Sequence, residues 1–250
     1  ASAVLRVGAL PVLADVDPHS GCIDPASVEA RIGPSTRAVI CVHLACTIAD
    51  LDRLVDLAER TNIHLVEDVA QAHGGTWRGR RLGAWGAVGA FSFQSGKVLA
   101  AGEGGAVVVG SHPAWERGQQ LRADSRTYTN PEAGAMELVP RGDVIGANRT
   151  MSEFHAAILL DRLPHLDAEN EYRERQVGGL MSALAADAPW LSVVNPTDKR
   201  AQRSVYELAL RVDSEVIEQV PVAALADALT AELERPVYPP DEPLFESTLF

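Results

Sequence analysis

The chain has 250 residues, 46% of them hydrophobic, which is enough for one large domain or for one domain with a smaller lobe. A formal net charge of -12 argues against general binding to nucleic acid or to an anionic membrane, and a solvated acidic surface explains it. Cys22, Cys41 and Cys46 have no CxxC spacing, so they indicate ordinary thiols in the reducing cytoplasm rather than a disulfide framework or a metal site.

The chain carries no recognisable membrane or export segment. No run of about 18 apolar residues is present, so no spanning helix is predicted, and no basic stretch precedes an apolar one as in a signal peptide. The first residues resemble the end of a helix that runs into a strand, and the last ones, YPPDEPLFESTLF, have no clear pattern. We therefore expect both ends of the chain to be truncated.

Strand and helix patterns alternate over the first 70 residues. Asp24 is a candidate N-cap, followed by Pro25 at the first helical position and by Gly33 as a stop. The predicted elements are a short buried strand over 11–17, a helix over 24–33, a central strand over 37–44, a helix over 50–62 and a strand over 63–68. This order predicts an α/β fold with a mostly parallel sheet and right-handed crossovers.

The remainder of the chain predicts an extension of this sheet and a second lobe. Pro164 is expected to kink or break a long helical pattern that begins near Met151. The other predicted elements are a glycine-rich hairpin or loop over 74–89, strands over 89–93 and 104–110, a helix over 114–124, a long loop over 125–147, a strand over 204–212 and a helix over 221–234. We assign 1–188 to a large domain and 189–250 to the start of a smaller α+β domain.

Polar residues follow the predicted strand over 63–68, at the kind of sheet edge where α/β proteins bind ligands. Asp68 either caps the next helix or holds a cationic ring nitrogen, and the two interpretations have similar weight. Gln71 and His73 follow on the next turn, near enough to touch the same ligand. A histidine in this place more often supports a site than acts as its catalyst.

Lys97 is the only basic residue between positions 88 and 105. Most lysines are solvated surface charges, but this one lies between two apolar strands. Burial favours the uncharged amine, which attacks carbonyl groups. A carbonyl-binding lysine together with a strand-end aspartate suggests pyridoxal phosphate (PLP), which needs a carboxylate at its pyridine nitrogen and donors for its phosphate. Ser92 is one candidate phosphate donor.

The forty residues of VEDVAQAHGGTWRGRRLGAWGAVGAFSFQSGKVLAAGEGG (66–105) carry a specific resemblance. They resemble the signature of the DegT-like PLP-dependent sugar aminotransferases: E-D-x-A-Q-A-H-G, a G-x-x-x-G hairpin, F-S-F-x-x-x-K and G-E-G-G. Weaker similarity extends over most of residues 1–180. The resemblance implies the fold of aspartate aminotransferase, called fold type I, with 1–188 as the PLP-binding large domain.

The resemblance also implies a role for each residue. Lys97 is similar to the lysine that bonds the cofactor aldehyde and later moves a proton between the substrate α-carbon and the cofactor. Asp68 resembles the acid that keeps the pyridine nitrogen protonated, so the two are the expected catalytic residues. Gln71 is similar to the neighbour of the cofactor 3′-oxygen, and Ser92 to the phosphate-binding serine. Asn148 resembles an asparagine that reaches the phosphate from the partner subunit, which implies a homodimer.

The chain departs from the family pattern in three places. Arg149 and Thr150 stand where the family usually has a variable residue followed by arginine, and His155 stands where glutamine is common. The family's early Gly-Thr phosphate loop and its ring-stacking aromatic residue are expected upstream of Ala1.

The wording FSFQSGKVLAAGEGG resembles most the branch that aminates cyclitol ketones, the L-glutamine:scyllo-inosose and 2-deoxy-scyllo-inosose aminotransferases of aminoglycoside biosynthesis. The reaction would be ping-pong, with glutamine or glutamate as amino donor. Three alternatives stay open: a nucleotide-keto-sugar aminotransferase, an enzyme like 3-amino-5-hydroxybenzoate synthase, and a non-catalytic PLP-bound sensor. Family dehydratases lack the lysine, and GEGG does not open a helix after a first strand as a dinucleotide-binding motif does.

Overall fold

The computed structural model of the protein describes residues 1–130, 135–194 and 200–247. The helices are α1 (Ser2–Arg6), α2 (Pro25–Glu29), α3 (Leu51–Thr61), α4 (His112–Arg122), α5 (Glu153–Arg162), α6 (Leu166–Asp187), α7 (Ser214–Ile217) and α8 (Val222–Leu233), with short 3₁₀ helices at Leu163–His165 and Leu244–Glu246. The strands are β1 (Ala38–Val42), β2 (His64–Asp68), β3 (Thr76–Trp77), β4 (Arg80–Arg81), β5 (Val88–Ser92), β6 (Gly105–Val109), β7 (Arg126–Asn130), β8 (Ala135–Pro140), β9 (Leu191–Val193), β10 (Ala201–Gln202) and β11 (Leu210–Val212). None of the helices described is long and apolar enough to cross a membrane.

The main sheet has the strand order β1-β2-β5-β6. The pairs β1–β2 and β2–β5 are parallel, whereas β5 and β6 are antiparallel. Side chains alternate between the two faces of a strand, so Leu65 and Glu67 point into the core and Asp68 points to the opposite face. The predicted α/β fold with a mostly parallel sheet is confirmed.

Helix α3 covers the core face of the sheet and forms where the sequence predicts it. The side chain of Asp50 accepts a hydrogen bond from the Arg53 amide at the N-terminus, and Asn62 ends the helix in a left-handed conformation. Leu51, Leu54 and Leu57 are at most 2% exposed. Burial of a leucine side chain is worth about 1.5–3 kcal/mol, so this face anchors the helix to the sheet.

Two strand predictions in the first 50 residues need correction. The stretch 11–17 forms only an isolated bridge between Val16 and Ile23 and joins no sheet among the described residues, so that Val12 and Val16 are 66% and 51% exposed. The strand predicted over 37–44 is present, but it lies at the edge of the described sheet rather than at its centre. By contrast, Asp24 caps α2 through the amides of Ala26 and Ser27, as predicted.

Two later predictions are also wrong. Residues 125–147 are not a loop throughout, since β7 and β8 pair there as an antiparallel ribbon; residues 131–134 between them lie outside the described part. The sequence of this ribbon has no regular alternation of apolar and polar residues, which is the signal that predicts a strand. The strand predicted over 204–212 is reduced to β11, since the amide of Tyr206 bonds the Ala45 carbonyl in the segment after β1 instead of joining a ladder.

The long helical pattern after Met151 breaks where proline predicts it. Helix α5 ends at Arg162, a 3₁₀ turn contains Pro164, and α6 begins at Leu166. A proline cannot donate a backbone hydrogen bond and clashes with the preceding turn. Helix α6 packs against the rest of the protein through Leu166, Asn170 and Val177, which are buried.

The residues after α6 form small sheets rather than extend the main one. Strands β9 and β11 pair with each other, α8 forms where predicted, and β10 pairs with β3. The β10–β3 pair brings this part of the chain against the glycine-rich hairpin of β3 and β4. The division of the chain at position 188 stays a prediction.

Candidate active site

The C-terminal ends of two neighbouring parallel strands carry the polar residues that the sequence predicts for a site. Asp68 ends β2 and lies opposite Ala90 of β5, and Ser92 lies two residues beyond Ala90. Because side chains alternate along a strand, Asp68 and Ser92 lie on the same face of the sheet. Neighbouring strands are about 4.8 Å apart, so the register brings these two predicted site residues together.

Asp68 and Gln71 are half-buried, and each keeps a polar atom available. Asp68 Oδ1 accepts a hydrogen bond of 3.0 Å from the Ala70 amide, which caps a turn, since no helix follows β2 directly. Gln71 Oε1 accepts a 2.7 Å hydrogen bond from the Ala45 amide. In the part of the chain that is described, Asp68 Oδ2 and Gln71 Nε2 have no hydrogen-bond partner. The site therefore offers one free acceptor and one free amide donor.

His73 is 1% exposed and lies between two phenylalanine rings. Its ring centroid is 5.8 Å from that of Phe91 and 5.9 Å from that of Phe93. Burial lowers its pKa, with the positive charge of Lys97 acting in the same direction, and both outweigh the opposing effect of the Ser92 backbone. The imidazole is therefore neutral at pH 7 and supports the site as a packed ring, consistent with the supporting role predicted for it.

Lys97 lies on a turn just beyond β5. Its amide donates to the Gln94 carbonyl at 2.9 Å, and Gln94 Oε1 accepts from the Gly96 amide at 2.8 Å. Val98 and Leu99 beside it are buried, but Lys97 itself is only half-buried. The expected full burial of the amine is therefore wrong, because the lysine sits past the end of the strand rather than between two strands of the core.

The Lys97 amine faces an aromatic ring instead of a carboxylate. Its Nζ lies 4.3 Å from the ring centroid of Tyr206, and no ion pair of Lys97 occurs among the described residues. Arg162 on α5 faces the carbonyls of Val98 and Ala100 at 3.4 Å and 3.5 Å, which steadies the chain that follows the lysine. Among the described residues, the contact that holds the Lys97 amine is thus the Tyr206 ring and not a carboxylate.

The other predicted residues differ in how close they lie to this group. Ser92 is half-buried, and its Oγ accepts a 3.4 Å hydrogen bond from the Gln94 amide, so its hydroxyl hydrogen remains available. Asn148 and Arg149 are exposed, and Asn148 Oδ1 accepts a 3.0 Å hydrogen bond from the Thr150 hydroxyl. Among the described contacts, none joins the Asn148 side chain to Asp68, Gln71, Ser92 or Lys97. Within this chain, Asn148 therefore stays apart from the rest of the predicted site.

A buried histidine–glutamate pair, formed by the residue after β1 and a residue of β2, was not predicted from the sequence. His43 and Glu67 are both 0% exposed, and His43 Nε2 lies 3.4 Å from Glu67 Oε2. The Ala49 amide donates to His43 Nδ1, so the proton of the neutral ring is on Nε2 and points at the carboxylate. The only sequence signal for this pair was the glutamate at a core-facing position of a strand.

Glu67 also holds the loop that leads into β5. Its carboxylate oxygens accept 2.7 Å hydrogen bonds from the amides of Gly83, Trp85 and Gly86. Burial raises the pKa of this carboxyl, but the hydrogen bonds from His43 and the backbone amides outweigh burial and hold the pKa below its ordinary value. The loop packs so closely that a Cβ on Gly89 would clash with the Gly83 carbonyl. Glu67 thus fixes β5, whose end carries Ser92.

Tyr206 was also missed, because its sequence context predicted an ordinary strand. Its amide donates to the Ala45 carbonyl at 3.2 Å, and the Ala45 amide is the one that donates to Gln71. Ala45 has a left-handed backbone with φ of 56°, which allows its two polar groups to serve both neighbours. A single residue at the end of β1 therefore links Gln71 to the ring that covers Lys97.

Comparison with known proteins gives a consistent assignment. The model of the DegT/DnrJ/EryC1/StrS aminotransferase family matches residues 1–240. The chain is 46% identical to an L-glutamine:2-deoxy-scyllo-inosose aminotransferase of Micromonospora echinospora, over 93% of this chain and 56% of the relative. It is 43% identical to an L-glutamine:scyllo-inosose aminotransferase of Streptomyces griseus, over 100% of this chain and 59% of the relative.

Solved structures of similar proteins confirm the predicted fold. A DegT DnrJ EryC1 StrS aminotransferase from Brucella abortus superposes with a TM-score of 0.84 at 28% identity, over 100% of this chain and 64% of that one. A 3-amino-5-hydroxybenzoic acid synthase superposes with a TM-score of 0.78 at 31% identity, over 92% of this chain and 58% of that one. The chain spans less than three fifths of the length of the two curated relatives. It belongs to the DegT/DnrJ/EryC1/StrS aminotransferase family.

Proposed function

We propose that the protein is a PLP-dependent aminotransferase that moves an amino group from L-glutamine or L-glutamate to a keto-cyclitol, scyllo-inosose or its 2-deoxy analogue, in aminoglycoside antibiotic biosynthesis. The observation that carries this proposal is that Asp68 and Ser92 share one face at the C-terminal ends of β2 and β5, with Gln71 and Lys97 on the segments that follow these strands. The substrate class is supported by the names of relatives that are 43% to 46% identical to this chain.

The unengaged atoms of these residues fit PLP. Asp68 Oδ2 is a free acceptor for a protonated ring nitrogen, and Gln71 Nε2 is a free donor for the negatively charged ring oxygen. The Ser92 hydroxyl has its hydrogen available for a phosphate oxygen. Lys97 provides an amine without an ion-pair partner among the residues described. When bound, PLP supplies an electron sink for the negative charge that forms at the substrate α-carbon.

Each side chain has one task in this proposal. Lys97 Nζ would bond the aldehyde of PLP and would move a proton at the α-carbon of the substrate. Asp68 would hold a proton on the ring nitrogen, which would strengthen the electron-withdrawing effect of the ring. Gln71 is oriented by its bond to the Ala45 amide, and its amide nitrogen would donate a hydrogen bond to the ring oxygen of PLP.

A spectroscopic titration tests the cofactor assignment. Wild-type protein mixed with PLP is expected to gain the visible absorbance band of lysine-bound PLP, and Lys97→Arg should not gain it. Residues 1–250 contain one other lysine, so Lys199→Arg is the matched control and should behave like wild type. If Lys97→Arg forms the band as wild type does, the assignment of Lys97 is wrong.

Substrate choice is tested by coupled assays with scyllo-inosose, 2-deoxy-scyllo-inosose and dTDP-keto sugars, each with glutamine or glutamate. We expect the highest kcat/KM with one of the two cyclitols. A preference for a nucleotide-linked sugar or for a precursor of 3-amino-5-hydroxybenzoate would replace the substrate assignment but leave the aminotransferase. PLP binding without turnover of any donor would indicate a sensor.

We infer a homodimer in which Asn148 serves the partner's site. Asn148 is exposed, and the large apolar side chains of Ile145, Phe154 and Leu160 nearby in sequence are 99%, 85% and 74% exposed. A second copy that covers these side chains would remove their contact with water. Asn148→Ala should then weaken PLP affinity in a protein that sediments as a dimer, and unchanged affinity in a confirmed dimer would refute the shared site.

Three free, buried cysteines favour a reducing cytoplasm as the location of the protein.

A further inference from the structure

Tyr206 contacts Lys97 and is not among the residues that the proposed function uses. The Lys97 Nζ lies 4.3 Å from the centroid of the Tyr206 ring. A cation over the face of an aromatic ring is attracted by the negative charge of that face, within about 6 Å of the centroid. With no carboxylate paired to Lys97 in the described part, the ring is its charge partner.

Tyr206 is held in this place by one contact of its backbone and by the packing of its ring. Its amide donates to the Ala45 carbonyl at 3.2 Å. Its ring packs with the buried cluster that includes Phe93, Leu99 and Leu166. The Tyr206 ring therefore has a defined orientation before any ligand binds.

The segment before Tyr206 is anchored to the long helix α6. Arg203 is 7% exposed and donates two hydrogen bonds to Glu174, at 2.5 Å and 3.0 Å. The Ser204 hydroxyl is 3.4 Å from Asn170 Oδ1, and Asn170 Nδ2 donates to the carbonyl of His73 at 2.8 Å. Through these buried polar contacts, the segment that precedes Tyr206 is connected to the segment that carries Gln71 and His73.

We propose that Tyr206 is a positioning residue whose ring face holds the Lys97 ammonium group whenever that amine is free. This inference rests on the proposed function. A lysine that alternates between a bonded and a free amine needs a place for the free form, because a long side chain otherwise samples many rotamers. The apolar walls of Val98 and Leu99 offer no such place, and the Tyr206 ring does.

The contact itself is tested without cofactor by NMR on protein with isotope-labelled lysine. The ε-methylene protons of Lys97, assigned by their loss in Lys97→Arg, should be shifted upfield by the ring, whereas a freely moving lysine would show the random-coil position. Tyr206→Phe keeps an aromatic face and should keep the shift. Tyr206→Leu keeps an apolar side chain but has no ring, and it should lose the shift.

The consequence for the site is tested by comparing two ligands. Pyridoxamine phosphate has an amine where PLP has an aldehyde, so Lys97 stays free when it binds, whereas PLP takes the amine into a covalent bond. Both ligands have the same ring and phosphate groups, so those contacts cancel in the ratio of their Kd values, and the change in that ratio between wild type and variant reports on the free lysine. In Tyr206→Leu the preference for PLP over pyridoxamine phosphate should rise roughly 2- to 30-fold, the range that one cation–π contact corresponds to.

Three outcomes separate this inference from the proposed function. If Tyr206→Leu weakens both ligands by the same factor, Tyr206 is only structural and the inference is wrong. If wild type shows no upfield shift of Lys97, the inference is also wrong, while PLP binding at Lys97 is unaffected. If wild type does not bind PLP but shows the shift in the absence of ligand, the proposed function fails and the contact stands.

Discussion

Substitution of Glu67 by glutamine should destabilise the protein strongly, although the change removes no volume. The two carboxylate oxygens receive three backbone amide hydrogen bonds of 2.7 Å and face the His43 Nε2 proton. Glutamine has one oxygen and one NH₂ group. If its oxygen keeps the amides of Trp85 and Gly86, its nitrogen faces two other donors, the Gly83 amide and His43.

The expected loss follows from counting these unsatisfied donors. A buried donor without a partner costs about 1–3 kcal/mol, so two of them give a loss of about 2–6 kcal/mol in the free energy of unfolding. A change of tautomer at His43 does not help, because Nδ1 accepts from the Ala49 amide and a proton there would replace one conflict by another. If the loop that contains Gly83 and Gly86 relaxes so that water reaches the unpaired donors, the loss in the free energy of unfolding lies near the lower end of this range.

Urea denaturation monitored by circular dichroism measures this loss, with Glu59→Gln as the matched control. Glu59 lies on the exposed face of α3, and its substitution should change stability by less than about 0.5 kcal/mol. The pKa of Glu67 is lowered in the folded state, so its stabilisation is present above about pH 4.5 and is lost as pH falls through the folded pKa. Wild type and Glu67→Gln should therefore converge in stability at low pH. Equal stability of the two at pH 7 would refute the view that Glu67 is an ionised anchor.

Three further predictions test other parts of the structure. Leu54→Ala should lower the free energy of unfolding by about 2–5 kcal/mol in urea, because Leu54 is 1% exposed in the core between α3 and the sheet; a loss below 1 kcal/mol would contradict this packing. His73→Phe should remove a pH dependence of stability, because burial and the charge of Lys97 lower the His73 pKa from 6.5. Wild type should therefore lose stability as pH falls below about 6.5, by at most about 1.4 kcal/mol per pH unit. Thermal denaturation between pH 7 and pH 5 checks this, and parallel curves for both proteins would contradict it. Asp68→Ala should keep part of the PLP affinity but lose most turnover in the coupled assay, and turnover close to wild type would contradict the role of Asp68 at the ring nitrogen.

The sequence predicted the elements whose local signals agree with their tertiary contacts. Asp50 and Asn62 mark both ends of α3, and its leucines repeat at helical spacing. Pro164 breaks the long helix for a reason that needs no tertiary context. The stretch 11–17 was predicted wrongly because it has the composition of a strand, whereas no strand in the described part of the chain pairs with it. Hydrogen-bond partners far away in sequence decide such cases.

The site was predictable in part for a similar reason. Asp68, Gln71, Ser92 and Lys97 lie within thirty residues of one another, and each of them ends β2 or β5 or lies on the segment that follows one of these strands. Tyr206 lies more than one hundred residues from Lys97, and its approach depends on buried polar contacts with α6 that no local pattern contains. Glu67 was overlooked because its task is to bind backbone amides, and backbone amides leave no signal in the sequence.

Reduction of the PLP-loaded protein with borohydride, followed by peptide mass spectrometry, shows whether Lys97 bonds the cofactor. Residues 1–250 contain two lysines, Lys97 and Lys199, so the position of the label gives a clear answer. We expect a pyridoxyl group on the peptide that contains Lys97, with Lys199 unlabelled. A label on Lys199 alone, or no label on a protein that binds PLP tightly, would show that Lys97 does not bond the cofactor.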